Sequence, residues 1–297
     1  MSPGTAGRDS RMKPLVRDVA QRIERLDGLD RYARPIRDLV YRAVPNNTTV
    51  KDLLSGTWLG HPLHPVLTDV VLGSWTSAAM LDVVGGRDTR KAARRLIGLG
   101  ILAALPTAVA GLADWSDLRK GPQRVGMVHA AGNVATIGLM TLSWNARRRG
   151  KGLTGRFYAM VGMGVATGSA WLGGHLSFGR GVGVNQTAFD ELPPGWESVM
   201  ELGALSEGKP VAAEVDGTTV MLYRHDGRID AIGNRCSHRG CPLHKGTVND
   251  DGSVTCPCHG STFRLSDGAI LRGPATAPQP SFETRVQDGR VEIRARP

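Results

Sequence analysis

The chain has 297 residues, room for two domains, and carries 37 Lys/Arg against 27 Asp/Glu for a net charge of +10. Residues 198–297 hold 12 basic and 12 acidic side chains, so the whole excess sits in residues 1–197. There it is concentrated between apolar runs, which argues against a nucleic-acid partner and points to membrane topology. Residues 1–235 contain no cysteine, so no disulfide framework supports the first part of the chain.

In chain order, residues 1–14 are polar and lack an apolar h-region, so no signal peptide is expected. Residues 1–60 read as a charged amphipathic arm. Val16, Val19, Ile23, Leu26 and Leu29, then Tyr32, Ile36, Leu39 and Val40, recur near helical spacing. This predicts one or two helices, broken near Gly28 and Pro35, lying on a membrane surface; a partly disordered arm is the alternative. Residues 61–177 then hold four apolar stretches long enough to cross a hydrocarbon core: Pro65–Val84, Leu96–Ala113, Val125–Trp144 and Phe157–Leu176. None contains Lys or Arg, and none shows the charged stripe of a soluble bundle. Small residues abound, including Gly164-x-x-x-Gly168, which would let helices approach closely.

Loop charge orients the spans. Arg87, Arg90, Lys91, Arg94 and Arg95 follow the first, and Arg147, Arg148, Arg149, Lys151 and Arg156 follow the third, so ten basic residues share one face. The other face has Lys51, Arg119, Lys120, Arg124 and Arg180, which puts both termini outside the cell membrane. Four spans also bring His61, His64, His129 and His175 to that same outer face, with Asp69, Asp114 and Asn133 at similar depth. Ionisable groups in a span default to a functional reading. The candidates are a b-type haem with two imidazole ligands, a quinone pocket or a divalent metal; helix-ordering hydrogen bonds are the structural alternative. Asp82 falls near the opposite face as an interfacial residue.

Residues 178–197 read as a Gly- and Pro-bearing linker, and residues 198–297 as a small antiparallel β domain. Asp-Gly pairs at 216–217, 226–227, 251–252, 267–268 and 288–289 are hairpin signals between Val-, Leu- and Ile-bearing strands. The fold class is therefore α + β and multidomain: a four-helix transmembrane bundle followed by an all-β domain. All four cysteines fall in two loops of this second domain, C-S-H-R-G-C from Cys236 and C-P-C-H-G-S from Cys256. Two thiolates and two imidazoles spaced C-x-H and C-x-x-H suit a [2Fe–2S] cluster of mixed ligation, and also suit zinc.

These loops, with the later Gly273-Pro274-Ala275, resemble the Rieske family over the last hundred residues. The resemblance implies that Cys236 and Cys256 bind one iron and His238 and His259 the other. It implies a disulfide between Cys241 and Cys258, which suits an oxidising compartment. It places Ser261 as a hydrogen-bond donor to the cluster, Phe263 where high-potential members have tyrosine, and Gly273 and Pro274 in a covering loop. Hydrogen bonds to the sulfurs raise the potential, so a potential below the respiratory range but above all-cysteine clusters is expected. Arg147-Arg148-Arg149 precedes the last span, where actinobacterial cytochrome bc members carry a twin-arginine export signal. Its flanking residues match that signal poorly, and taken alone the run reads as a solvated cytoplasmic charge run. The run G-H-P-L-H-P from Gly60, with W-L-G-G-H later, resembles a family of small bacterial four-span membrane domains of uncharacterised function (DUF2231-like).

The expected function is a multi-pass, membrane-anchored one-electron carrier, a component of electron transfer rather than a complete enzyme. It would exchange electrons with a quinol, a haem or redox partner proteins in the lipid membrane. The alternatives are an anchored ferredoxin-like partner of an oxygenase, or a redox sensor.

Overall fold

The computed structural model describes residues 15–296; the polar start of the chain, read as lacking a signal peptide, lies outside them. The arm is helical. α1 (Leu15–Glu24) and α2 (Asp30–Ala43) are separated at Gly28 by a short 3-10 turn, as the spacing predicts. The second expected break is absent: Pro35 lies inside α2. The carbonyl that proline leaves without a donor belongs to Arg31, which is exposed, so the interruption lies on the solvent side of the helix. Arg124 ties the arm to the bundle through Asp27 and Asp30 and by donating to the Glu24 carbonyl. Contact is made through small side chains such as Ala33, whereas Val19, Leu26, Tyr32, Ile36 and Leu39 stay exposed. α3 (Thr49–Ser55) follows, capped by Thr48 accepting from the Lys51 amide, and ends at left-handed Gly56.

Four long helices come next: α4 (Leu63–Val84), α5 (Arg90–Ser116), α6 (Lys120–Arg148) and α7 (Gly152–Gly174). The segments Leu63–Val84, Arg87–Ser116 and Lys120–Arg148 are long and apolar enough to cross a membrane. The fourth expected span is a helix of 23 residues but falls outside that set, because its seven glycines dilute its hydropathy. The buried seam of α7 runs through Gly155, Ala159, Gly162, Ala166 and Ser169, at alternating steps of four and three. Gly164 and Gly168, expected to serve close approach, instead have open space where a Cβ would project. The helix contact lies on the adjacent face, where a Cβ on Gly162 would meet Met140 at 3.2 Å. α5 presents a parallel seam of Ala93, Ile97, Gly100, Ala104 and Thr107, and Trp75 reaches across to donate to the Ile97 carbonyl at 3.3 Å. Large apolar side chains such as Val83, Leu102, Leu105, Val134 and Met160 face outward.

The C-terminal domain is built from two antiparallel sheets. β1 (Glu197–Glu201), β2 (Val211–Val215), β3 (Thr218–His225), β4 (Arg228–Gly233), β9 (Ser281–Gln287) and β10 (Arg290–Ala295) form one, in the order β1-β10-β9-β4-β3-β2. β5 (Thr247–Asn249), β6 (Ser253–Thr255), β7 (Thr262–Arg264) and β8 (Ile270–Arg272) form the other in sequence order. Three of the Asp-Gly pairs close two-residue hairpins with both residues left-handed: φ is 47° and 79° at Asp216-Gly217, 48° and 72° at Asp226-Gly227, and 51° and 77° at Asp288-Gly289. The pairs at 251–252 and 267–268 close the β5–β6 and β7–β8 turns with only the glycine left-handed.

Candidate metal centre

The β4–β5 and β6–β7 loops stand side by side and are built alike. In the first, Cys236 N donates to Cys241 O and Gly240 N to Cys236 O, at 2.9 and 2.7 Å. In the second, Cys256 N donates to Ser261 O and Gly260 N to Cys256 O, at 2.8 and 3.1 Å. Each turn needs a glycine four residues after its first cysteine, and both Gly240 and Gly260 are left-handed (φ 71° and 79°). Cys241 and Cys258 form a disulfide across the loops, 17 residues apart in sequence. Cys236 and Cys256 remain free and buried.

The four other polar groups of the tip converge. The two free thiols share a hydrogen bond that favours a thiolate on Cys256, drawn down to about 7, while its donor Cys236 is pushed up. Loop amides of Cys258 and His259 point at the Cys256 sulfur, and those of His238 and Arg239 at the Cys236 sulfur. The His238 and His259 rings meet edge to face, with centroids 5.1 Å apart. Burial lowers both imidazoles, His238 well below its ordinary range, with His259, Arg239 and Lys51 adding to the effect on it. Two sulfurs supplied with amide donors beside two neutral imidazoles are the donor set that a mixed-ligand iron-sulfur group requires.

Ser261, Phe263, Gly273 and Pro274 lie in or beside this tip. Ser261 is fully buried and its Oγ accepts from the Ala275 amide at 3.0 Å, which leaves its proton free to donate. Phe263 is fully buried beside Cys236, Cys256 and Leu243, with no hydroxyl to offer. Gly273 and Pro274 lead into Ala275 over this core and are themselves buried.

The tip is seated on the helical half. Asp52 of α3 accepts from the Gly273 amide at 2.7 Å and from Arg272 at 2.9 Å, and Thr57 donates to the Ala275 carbonyl at 3.1 Å. Gln186 N donates to the Ser237 carbonyl at 2.9 Å. A Cβ on Gly260 would meet Asn46 at 3.3 Å, so the second ligand loop touches the α2–α3 turn. Beneath the imidazoles, Lys51 and Asp117 form a fully buried ion pair at 2.9 Å, and His238 Nε2 lies 3.8 Å from the same Asp117 oxygen. Tyr41 donates to the other Asp117 oxygen at 3.1 Å, and Lys51 donates to the Ala113 carbonyl at 2.6 Å. Sequence reasoning missed this seat. In the sequence Lys51 is only a basic residue near a span, and nothing local distinguishes Asp117 from its neighbour Asp114 one turn earlier.

The membrane-half cluster is only partly assembled. His64 and His129 meet edge to face at 6.4 Å beside a cavity of about 90 Å³ that Asn133 also lines. His64 Nδ1 donates to the Thr107 carbonyl at 2.9 Å, and His129 Nδ1 to the Ser169 carbonyl at 2.7 Å. Asn133 donates to His129 Nε2 at 3.0 Å, so both nitrogens of that ring are engaged. His175 pairs instead with Glu24 at 3.1 Å, while His61 and Asp69 are exposed and Asp114 is half-buried.

Known proteins match the two halves separately. The Rieske [2Fe-2S] domain model matches residues 195–283. The 3-phenylpropionate/cinnamic acid dioxygenase ferredoxin subunit of Photorhabdus laumondii is 35% identical over 74 residues, which are 25% of this chain and 70% of that protein. This chain belongs to the Rieske [2Fe-2S] family. The corresponding subunit of Escherichia coli K12 is also 35% identical, over 28% of this chain and 78% of its own length. The cytochrome b6-f complex iron-sulfur subunit of Chlorobaculum tepidum is 31% identical over 25% of this chain and 39% of that protein. Among solved structures, the ferredoxin of carbazole 1,9a-dioxygenase from Nocardioides aromaticivorans IC177 matches at 28% identity and a TM-score of 0.32, covering 34% of this chain and 98% of that one. Ahead of the Rieske domain, residues 60–186 match the predicted membrane protein family DUF2231. The chain is thus a fusion of a Rieske domain to a DUF2231 domain.

Proposed function

We propose that this protein is a membrane-anchored one-electron carrier whose Rieske centre is docked on its own membrane domain. Cys236 and Cys256 would hold one iron of the cluster, and His238 and His259 the other. Bound there, the [2Fe–2S] group supplies a one-electron couple. The chain supplies the rest. Loop amides and Ser261 donate to the sulfur side, and the disulfide joins the two ligand loops. Lys51, Asp117 and Tyr41 form a polar seat for the imidazole edge. The observation that carries the reading is the approach of His238 Nε2 to Asp117 of the helical half.

The four helices α4–α7 are read as the anchor, with the Rieske domain outside the bacterial cell membrane. The α4–α5 and α6–α7 turns and their flanks carry ten basic residues against five on its face, which supports their cytoplasmic placement. As donor we favour a quinol reaching the docked tip from the membrane face, with a redox protein as acceptor. A haem between His64 and His129 is disfavoured, because both His129 nitrogens are engaged and about 90 Å³ holds only a few waters.

The kinship with dioxygenase ferredoxin subunits favours a second reading, an anchored ferredoxin-like partner of an oxygenase. Such a partner must present its histidine edge, whereas the His238 side chain is only 16% exposed here. An EPR-monitored redox titration of the full-length protein in detergent, with an optical spectrum for haem, tests the first reading. A one-electron Rieske signal that appears when a quinol analogue reduces the oxidised cluster is expected. A signal indifferent to quinones but quenched by an oxygenase would overturn it in favour of the second.

A further inference from the structure

At the end of the bundle opposite the cluster, the α4–α5 and α6–α7 turns enclose a cleft of about 740 Å³. Its walls carry Arg87, Arg90, Lys91, Arg94, Arg147 and Lys151, with Arg156 at one side. Asp82 pairs with Arg147 and Arg156 and holds those two guanidinium groups in place. Among the described residues, no carboxylate lies within ion-pair distance of Arg87, Arg90, Lys91, Arg94 or Lys151. The only acid in the two turns themselves is Asp88, and it is exposed. So much unpaired positive charge in one concavity calls for an anion.

The backbone points the same way. α5 and α7 both begin at this cleft, and neither start has a side-chain cap: Thr89 and Lys151 make no capping hydrogen bond. The first amides are already engaged, Arg90 N with the Arg87 carbonyl and Gly152 N with the Gly150 carbonyl, so the two long helices add the positive ends of their dipoles to the space the side chains surround. Phosphate oxygens suit the guanidinium and ammonium donors there well.

The rim decides which phosphate. Val83, Val84 and Leu153 are each more than four-fifths exposed, and Phe157 is exposed one turn further along α7. Arg148 lies over the ring of Trp144 at 4.7 Å, an aromatic group suited to the headgroup level. A charged concavity bordered by apolar side chains fits a molecule with a phosphate head and acyl tails. We propose that the cleft is a binding site for the headgroup of an anionic phospholipid, with Arg90, Lys91, Arg94 and Lys151 contacting the phosphate.

The test uses the full-length, cluster-loaded protein, stripped of lipid in a zwitterionic detergent. Native mass spectrometry would follow binding of tetraoleoyl cardiolipin and of dioleoyl phosphatidylcholine, with inorganic phosphate as competitor. R90Q/R94Q removes two charges from the cleft; R95Q/R149Q removes two from the same end of the bundle outside its walls. The visible spectrum and melting temperature check that both variants are folded. Cardiolipin should bind in preference to phosphatidylcholine, millimolar phosphate should not displace it, and the cleft variant should lose at least about tenfold in affinity against less than about threefold for the control. Equal losses in the two variants, equal binding of both lipids, or displacement by inorganic phosphate would each overturn the proposal.

Discussion

Lys51 and Asp117 are the residues on which the docked arrangement turns. Both are almost wholly removed from solvent, so each charge depends on the other. Removing one partner of a buried pair costs roughly 3–5 kcal/mol, because the remaining charge has no compensation. Lys51→Met should therefore lower stability by about that amount, and Lys51→Met/Asp117→Leu should recover much of the loss; thermal unfolding in detergent measures both. The second residue-scale expectation concerns potential. With Ser261 donating to the sulfur side as proposed, Ser261→Ala should lower the midpoint potential, and Phe263→Tyr, which adds a hydroxyl beside Cys236 and Cys256, should raise it. Redox titration of the two variants against the parent protein reads both signs. The ligand loops were legible in the sequence because each holds its cysteines, histidine and turn glycine within six residues. The seat was not, because Lys51, Asp117 and His238 are brought together only by the packing of three separate segments.

At the scale of elements, the three Asp-Gly hairpins and the long helices could be read directly, since turn chemistry and apolar length are local properties. The contact face of α7 could not. Gly164-x-x-x-Gly168 has the right spacing, but which side of a helix faces its neighbour depends on the partner helix, here on Met140 and Ser143 of α6. On α5 the close approach is at Gly100, where a Cβ would lie 2.3 Å from Trp75 Nε1. Gly100→Ala should destabilise the bundle by about 1–3 kcal/mol, measurable as a fall in melting temperature, whereas Gly164→Ala should be neutral. The disulfide joins the two ligand loops across 17 residues of chain. Replacing Cys241 and Cys258 by serine should cost roughly 3 kcal/mol and speed cluster loss, followed as bleaching of the visible spectrum.

Across the whole molecule, the arm is held to the far end of the last helix by a contact that is sensitive to pH. The Arg180 guanidinium, with His175, holds the Glu24 carboxyl below its ordinary value of 4.5. A carboxyl depressed in the folded state stabilises above its unfolded value and loses that contribution as pH falls through the folded one. Protection of α1 against hydrogen exchange should therefore be constant above about pH 5 and decline below 4.5, and Glu24→Gln should remove that decline. The division into a helical half and a β half was visible in the change of periodicity and charge near residue 198. That the β half docks its ligand edge onto the helical half was not, because Asp52, Thr57 and Gln186 meet their partners across more than forty residues of intervening chain.

The most direct test is pulsed EPR of the reduced, full-length protein in membranes, reading the nitrogen couplings to the paramagnetic centre. Two strongly coupled histidine nitrogens are predicted, both lost with the cluster signal in His238→Ala and His259→Ala. A reduced protein with no such signal, or one with the couplings of an all-cysteine cluster, would contradict the account.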